Sequence, residues 1–101
     1  MTGLLLKMDS LKHGKFMLDF GAKWCGPCRS FIPVWDELEK QHSEKIAFLK
    51  YDVDVDREMA MAFGIQAMPT FIAIHNGEEI GRVRGASREK VEELIQKLLE
   101  L

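Results

Sequence analysis

The pentapeptide Trp24-Cys25-Gly26-Pro27-Cys28 holds the only two cysteines of this chain. Two thiols this close can do four things: staple the fold, supply half of a zinc site, lie inert in the core, or open and close as a disulfide. A staple draws its benefit from the loop it closes. A four-residue loop yields only about 2 kcal/mol, against about 3 for fifteen residues. A structural zinc ion needs four ligands, and the remaining candidates, His13, His42 and His75, are scattered without ligand-like spacing. An inert pair belongs in apolar surroundings, whereas this one stands where a helix is expected to begin. The four readings stay open on the residues alone, with the redox disulfide favoured.

The helix matters for a physical reason. Its first turn carries unpaired N–H groups and roughly +0.5 of a charge, which favours an anion. Cys25, at that end, is expected to have its thiol pKa lowered, with Lys23 and Arg29 flanking the pair.

The elements that must hold the pair follow from periodicity. Phe16-Met17-Leu18-Asp19-Phe20 is a short apolar run with an acid in it and reads as a buried strand. After Cys25, the residues Phe31, Val34, Trp35 and Leu38 fall on one helical face, and Pro33 is expected to kink that helix. Ile46 to Tyr51 reads as a second strand, and Arg57 to Phe63 as a short helix ending at Gly64. Thr70 to His75 and Glu79 to Arg84 flank Asn76-Gly77 and read as a hairpin. A final helix opens at Ser87 and carries Val91, Leu94, Ile95, Leu98 and Leu99 on one side. Ahead of these, Leu4 to Leu6 is expected as a strand and Met8 to His13 as a short helix. The fold class is α/β, a central mixed β-sheet flanked by helices, with residues 1–101 as one domain.

Composition narrows the function. Apolar residues make up 47 % and charged residues 30 %, an ordinary globular balance. With a net charge of −2 and no long basic run, phosphate neutralisation has no footing, so no nucleic acid is expected. The three leucines near the start are too few for a signal peptide or a membrane span, so a complete, cytoplasmic, monomeric protein is expected, with no membrane partner. In a reducing compartment a lone cysteine pair is more often catalytic or metal-binding than structural.

Along nearly its whole length the chain resembles the thioredoxin family. The resemblance is carried by "FMLDF", by "WCGPC" at a helix start, by "MPT" before a strand, by "NGE" in the hairpin turn and by "RGAS" before the last helix. It implies the thioredoxin fold and a protein-disulfide reductase acting through a redox-active Cys25–Cys28 disulfide, with no cofactor and no metal. Cys25 would be the exposed nucleophile and Cys28 the more buried resolving thiol. Asp19 would be a buried acid of raised pKa, taking the Cys28 proton through a water. Gly26 and Pro27 mark the reducing members, and Lys50 matches a lysine near the acid, so these three tune the redox pair. Pro69, which sequence alone would leave trans, would be cis. Trp24, Met68, Pro69, Gly85 and Ala86 would bind substrate, the Met68 backbone meeting an extended strand. Implied partners are disulfide-containing proteins and a thioredoxin reductase, in cell redox homeostasis and electron transport.

The resemblance also bounds what a low pKa can achieve. Thioredoxin is itself the reference case for a thiol near about 7, against about 8.5 when free. Thiolate at pH 7 then rises by about 1.2 log units, while weaker basicity takes back about 0.7. Most of the rate must come from position. Gly21 departs from the family pattern, since many relatives carry a larger side chain there. Two other readings remain: an isomerase or dedicated electron donor on the same fold, and a binding module without turnover.

Overall fold

A computed structural model describes residues 3–101. Four strands, β1 (Lys15–Gly21), β2 (Ala47–Asp52), β3 (Thr70–His75) and β4 (Glu78–Arg84), form one sheet in the order β2-β1-β3-β4. β1 and β2 are parallel, while β3 runs antiparallel to both β1 and β4. Helices α1 (Gly3–Asp9), α2 (Gly26–His42), α3 (Arg57–Ala62) and α4 (Arg88–Leu99) complete the chain. The expected mixed sheet flanked by helices is therefore what forms. No described helix is long and apolar enough to cross a membrane.

Both faces of the sheet are covered, which explains why β1 reads as a continuous apolar run rather than an alternating one. Met17 packs with Phe31, Trp35 and Leu38 of α2 and with Val91 and Ile95 of α4. Leu18 and Phe20, pointing the other way, pack with Leu11, Met59 and Ala60. Side chains alternate along a strand, so Asp19 and Gly21 share the face of Met17 and look toward α2. Register places Lys50 of β2 beside Asp19.

Local chemistry sets the joints. Asn76 (φ 50°) and Gly77 (φ 85°) both take the left-handed conformation that a two-residue hairpin turn requires. The Ser87 hydroxyl accepts from the Lys90 N–H at 3.3 Å and opens α4 as expected. α2 continues through Pro33 to His42, one main-chain bond short.

The start of the chain corrects the sequence reading. Leu4 to Leu6 lies in α1, not in a strand, and the helix expected over Met8 to His13 has already ended at Asp9. Leu4, in α1, and Leu11, in the turns that follow it, both join the cluster beneath β1. The Ser10 hydroxyl bonds the Lys7 carbonyl at 2.6 Å, and hydrogen-bonded turns carry the chain past Lys12. Gly14 (φ 110°) then pairs with Asn76 through two bonds, at 2.8 and 2.9 Å, leading into β1.

Candidate active site

Cys25 is the N-cap of α2, with extended backbone (φ −85°, ψ 112°). Pro27 stands in the first turn, where its missing N–H costs nothing. Cys25 Sγ accepts the Cys28 N–H at 3.2 Å, so the first sulfur occupies the place where a capping oxygen or an anion would sit. Cys25 and Cys28 are joined by a disulfide, with Cα atoms 5.3 Å apart.

Burial of the pair reverses the expectation. Cys25 is only 6 % exposed, while Cys28 is partly exposed. The reason lies in the neighbours. Cys25 Sγ is 3.8 Å from the Met68 carbonyl oxygen, so the loop before β3 closes over it. Cys28 faces Gly21, which has no side chain to cover it: a Cβ built there would stand 3.3 Å from Cys28 Sγ and 3.8 Å from Asp19 Oδ1.

Asp19 lies beneath α2, close to that spot. Desolvation raises its pKa from 3.8 to about 6, and the charge of Lys50 works in the opposite direction. This position has a stability consequence of definite sign. The folded form binds the proton more tightly than the unfolded one, so stability from this carboxyl is full below about 3.8 and lost as pH rises through about 6. The whole loss is about 3 kcal/mol. Asp19→Asn is therefore expected to stabilise the protein by up to about 3 kcal/mol at pH 8 and by little at pH 4, read from urea unfolding at the two pH values.

The Met68–Pro69 bond is cis. Pro69 is buried, Met68 and Gly85 are partly exposed, and Ala86 is exposed. The Gly85 N–H donates to the Pro69 carbonyl at 2.8 Å, which brings the loop before α4 beside the loop before β3. Trp24 is 65 % exposed, with its indole N–H held by Asp54 Oδ2 at 2.8 Å.

Comparison with known proteins places this arrangement. The family model described as thioredoxin matches residues 7–99. The chain belongs to the thioredoxin family. It is 43 % identical to thioredoxin H2-1 of Oryza sativa subsp. japonica over 82 residues, 81 % of this chain and 59 % of that protein. It is 44 % identical to a thioredoxin of Echinococcus granulosus over 88 residues, covering 86 % and 81 % of the two chains. Among solved structures, reduced Schistosoma mansoni thioredoxin superposes with a TM-score of 0.85 at 44 % identity, over 94 % of this chain and 89 % of that one. The thioredoxin fold and a redox-active cysteine pair of thiol–disulfide oxidoreductase type are thus present together.

Two surfaces of the thioredoxin site differ in kind. On one side Trp24, Met68, Met61 and Ile65 line a shallow cleft of about 510 Å³. Met61, 80 % exposed, was not among the residues expected from sequence. On the other side Gly21, Cys28, Ile32 and Lys50 line a groove of about 330 Å³. Two supporting residues also escaped the sequence reading. Thr70, buried, ties its hydroxyl to the Ala67 carbonyl at 2.7 Å and fixes the turn ahead of Pro69. Asp54 fixes the indole of Trp24.

Proposed function

We propose that the chain is a protein-disulfide reductase that reduces target proteins by dithiol–disulfide exchange through Cys25 and Cys28. The observation that carries this reading is the seating of Cys25 Sγ as the cap of α2, 3.2 Å from the Cys28 N–H. An anion is favoured there, so the Cys25 thiolate is both the attacking group and the good leaving group.

In the cycle, Cys25 thiolate attacks a sulfur of the target disulfide and a mixed disulfide forms. Cys28 gives its proton through a water to Asp19, attacks Cys25 Sγ and releases the reduced target. The site residues divide as follows: Cys25, Cys28 and Asp19 do the chemistry, while Gly26, Pro27 and Lys50 tune it. Trp24, Met68, Pro69, Gly85 and Ala86 form the docking face, with the Met68 backbone pairing to an extended target strand. The carboxylate near pKa 6 supports the proton-accepting part, since such a base is largely ionised at neutral pH yet basic enough to act. The partners are disulfide-containing proteins and a thioredoxin reductase that recharges the pair. The protein works as a cytoplasmic monomer in electron transport and cell redox homeostasis, without metal or cofactor.

The test is catalytic reduction of a disulfide-bonded protein with a slow dithiol as electron source. Wild-type protein at micromolar concentration is expected to raise the rate at least a hundredfold over the dithiol alone. A rate equal to the dithiol background, with the Cys25–Cys28 bond shown to be reduced, would rule the reading out.

A further inference from the structure

The two edges of the sheet differ in kind. β4 closes one side with the charged residues Glu78, Glu79, Arg82 and Arg84, and a register shift between Ala73 and Ile74 interrupts its ladder. Both devices discourage a further strand. β2 closes the other side, with β1 as its only neighbour. Its Phe48, Leu49 and Tyr51 stay partly exposed, whereas β3 is buried from Thr70 to Ile74. The Val53 N–H donates to the Gly21 carbonyl at 2.9 Å, so the alternate residues Leu49 and Tyr51 also turn their main chain toward β1. Phe48, Lys50 and Asp52 turn theirs outward. Asp52 is satisfied within the chain: its N–H donates to Asp56 Oδ2 at 3.1 Å, and its carbonyl accepts the N–H groups of Val55 and Asp56. Phe48 and Lys50 have no such partner among the described residues, so the N–H and C=O of both face outward unpaired.

We propose that two copies of this chain pair through β2, antiparallel about a two-fold axis at Leu49, joining their four-stranded sheets into one. The free groups select this register. Phe48 lies opposite Lys50 of the second copy, and such a pair exchanges two main-chain hydrogen bonds. The axis repeats the pair, so every free group of Phe48 and Lys50 is used in both chains. A shift by one step either way leaves some of them unpaired. The Ile46 N–H is already held by the His42 carbonyl, and Asp52 by the start of α3. One of those shifts would also set Lys50 against Lys50, where like charges repel. The side chains agree with the register. Leu49 meets Leu49 across the axis, and Ala47 stands opposite Tyr51, on the face of the cluster beneath β1. On the α2 face Lys50 meets the ring of Phe48 rather than another cation. A single pair of six-residue strands falls short of the roughly 1,200–2,000 Å² of a standard interface. The association is therefore weak, and the monomer of the preceding reading is its dilute form. It involves neither sulfur of the pair.

The experiment uses the oxidised chain, whose two cysteines are joined, so that no thiol can cross-link the copies. Sedimentation velocity between about 5 μM and about 2 mM is expected to show monomer giving way to dimer, with a dissociation constant of about 10–500 μM. Amide exchange at the two concentrations locates the contact. The N–H groups of Phe48 and Lys50 are expected to exchange at least threefold slower in the concentrated sample. Those of Leu49 and Tyr51, bonded to β1 in both states, should change less than twofold. Leu49→Lys and Leu49→Glu set like charges against each other on the axis, and each alone is expected to weaken the dimer at least tenfold. Their equimolar mixture is expected to pair as a heterodimer within fivefold of the wild-type constant, which only a residue facing its own copy can produce. A wild-type chain that stays monomeric to about 2 mM overturns the pairing, and an edge that serves a strand of another protein would give that result. A dimer in which Phe48 and Lys50 exchange as fast as in the monomer overturns it too, with no substitution needed. Weakening by both variants without recovery on mixing overturns the axis at Leu49.

Discussion

Cys28→Ser is expected to stop turnover on a disulfide protein by at least a thousandfold and to leave the variant covalently joined to that substrate. The reason is the arrangement of the two sulfurs on the first turn of α2, with the Cys25 cap 3.2 Å from the Cys28 N–H. Attack by Cys25 needs only that sulfur, so the mixed disulfide still forms. Release needs a second thiol already in place, and a well-oriented intramolecular group is worth an effective molarity of about 10⁵ M. External thiol at about 1 mM is then slower by up to about 10⁸. Cys25→Ser is expected to lose turnover as well, but without accumulating the adduct on a protein substrate, because the docking face serves Cys25. Mass spectrometry of the quenched reaction separates the two: a one-to-one adduct for Cys28→Ser, none for Cys25→Ser. Turnover by Cys28→Ser within tenfold of wild type would show that resolution does not pass through this sulfur. A binding module would keep its partner in both variants, without a covalent bond.

Much of this site is legible from residue order because local chemistry decides it. A helix start after a strand puts Cys25 at a positive tip whatever packs above it. Asn76-Gly77 can take two left-handed residues, so the hairpin follows, and Ser87 caps the helix it precedes. The places of Asp19 and Lys50 come from the family resemblance, and it is the parallel register of β1 with β2, a tertiary feature, that brings them with Gly21 to one face under α2. What stayed hidden depends on tertiary contacts. The relative burial of Cys25 and Cys28 is set by the Met68 loop on one side and by the empty place at Gly21 on the other. No pattern within α2 encodes either. The hydrogen bond from Trp24 to Asp54 joins residues thirty positions apart, and the exposure of Met61 is settled only once α3 is placed. At the start of the chain, the leucine run fits strand and helix equally, and only the packing of Leu4 beneath β1 chooses the helix.

The largest expected stability effect lies away from the sulfurs, at Trp35. Its side chain is 1 % exposed and sits between α2 and the sheet, its ring 5.1 Å from Phe48 edge-on and 6.0 Å from Phe71. This packing holds α2 against β2 and β3, and so sets where the helix tip meets Asp19. Trp35→Ala removes the largest fully buried side chain of the core and leaves a void that neighbours on a sheet cannot fill. The expected cost is about 3–5 kcal/mol, a large share of the roughly 5–15 kcal/mol by which a domain of this size is stable. The melting midpoint should fall by roughly 12–40 °C. Trp24→Ala, at an exposed position beside the pair, is the control: stability should change by no more than about 0.5 kcal/mol, while KM for protein disulfides rises several-fold. Calorimetry and reduction kinetics on the same two variants therefore separate the tryptophan that builds the platform from the one that faces the target. A drop below 5 °C for Trp35→Ala would mean that α2 is held in place by something other than this contact.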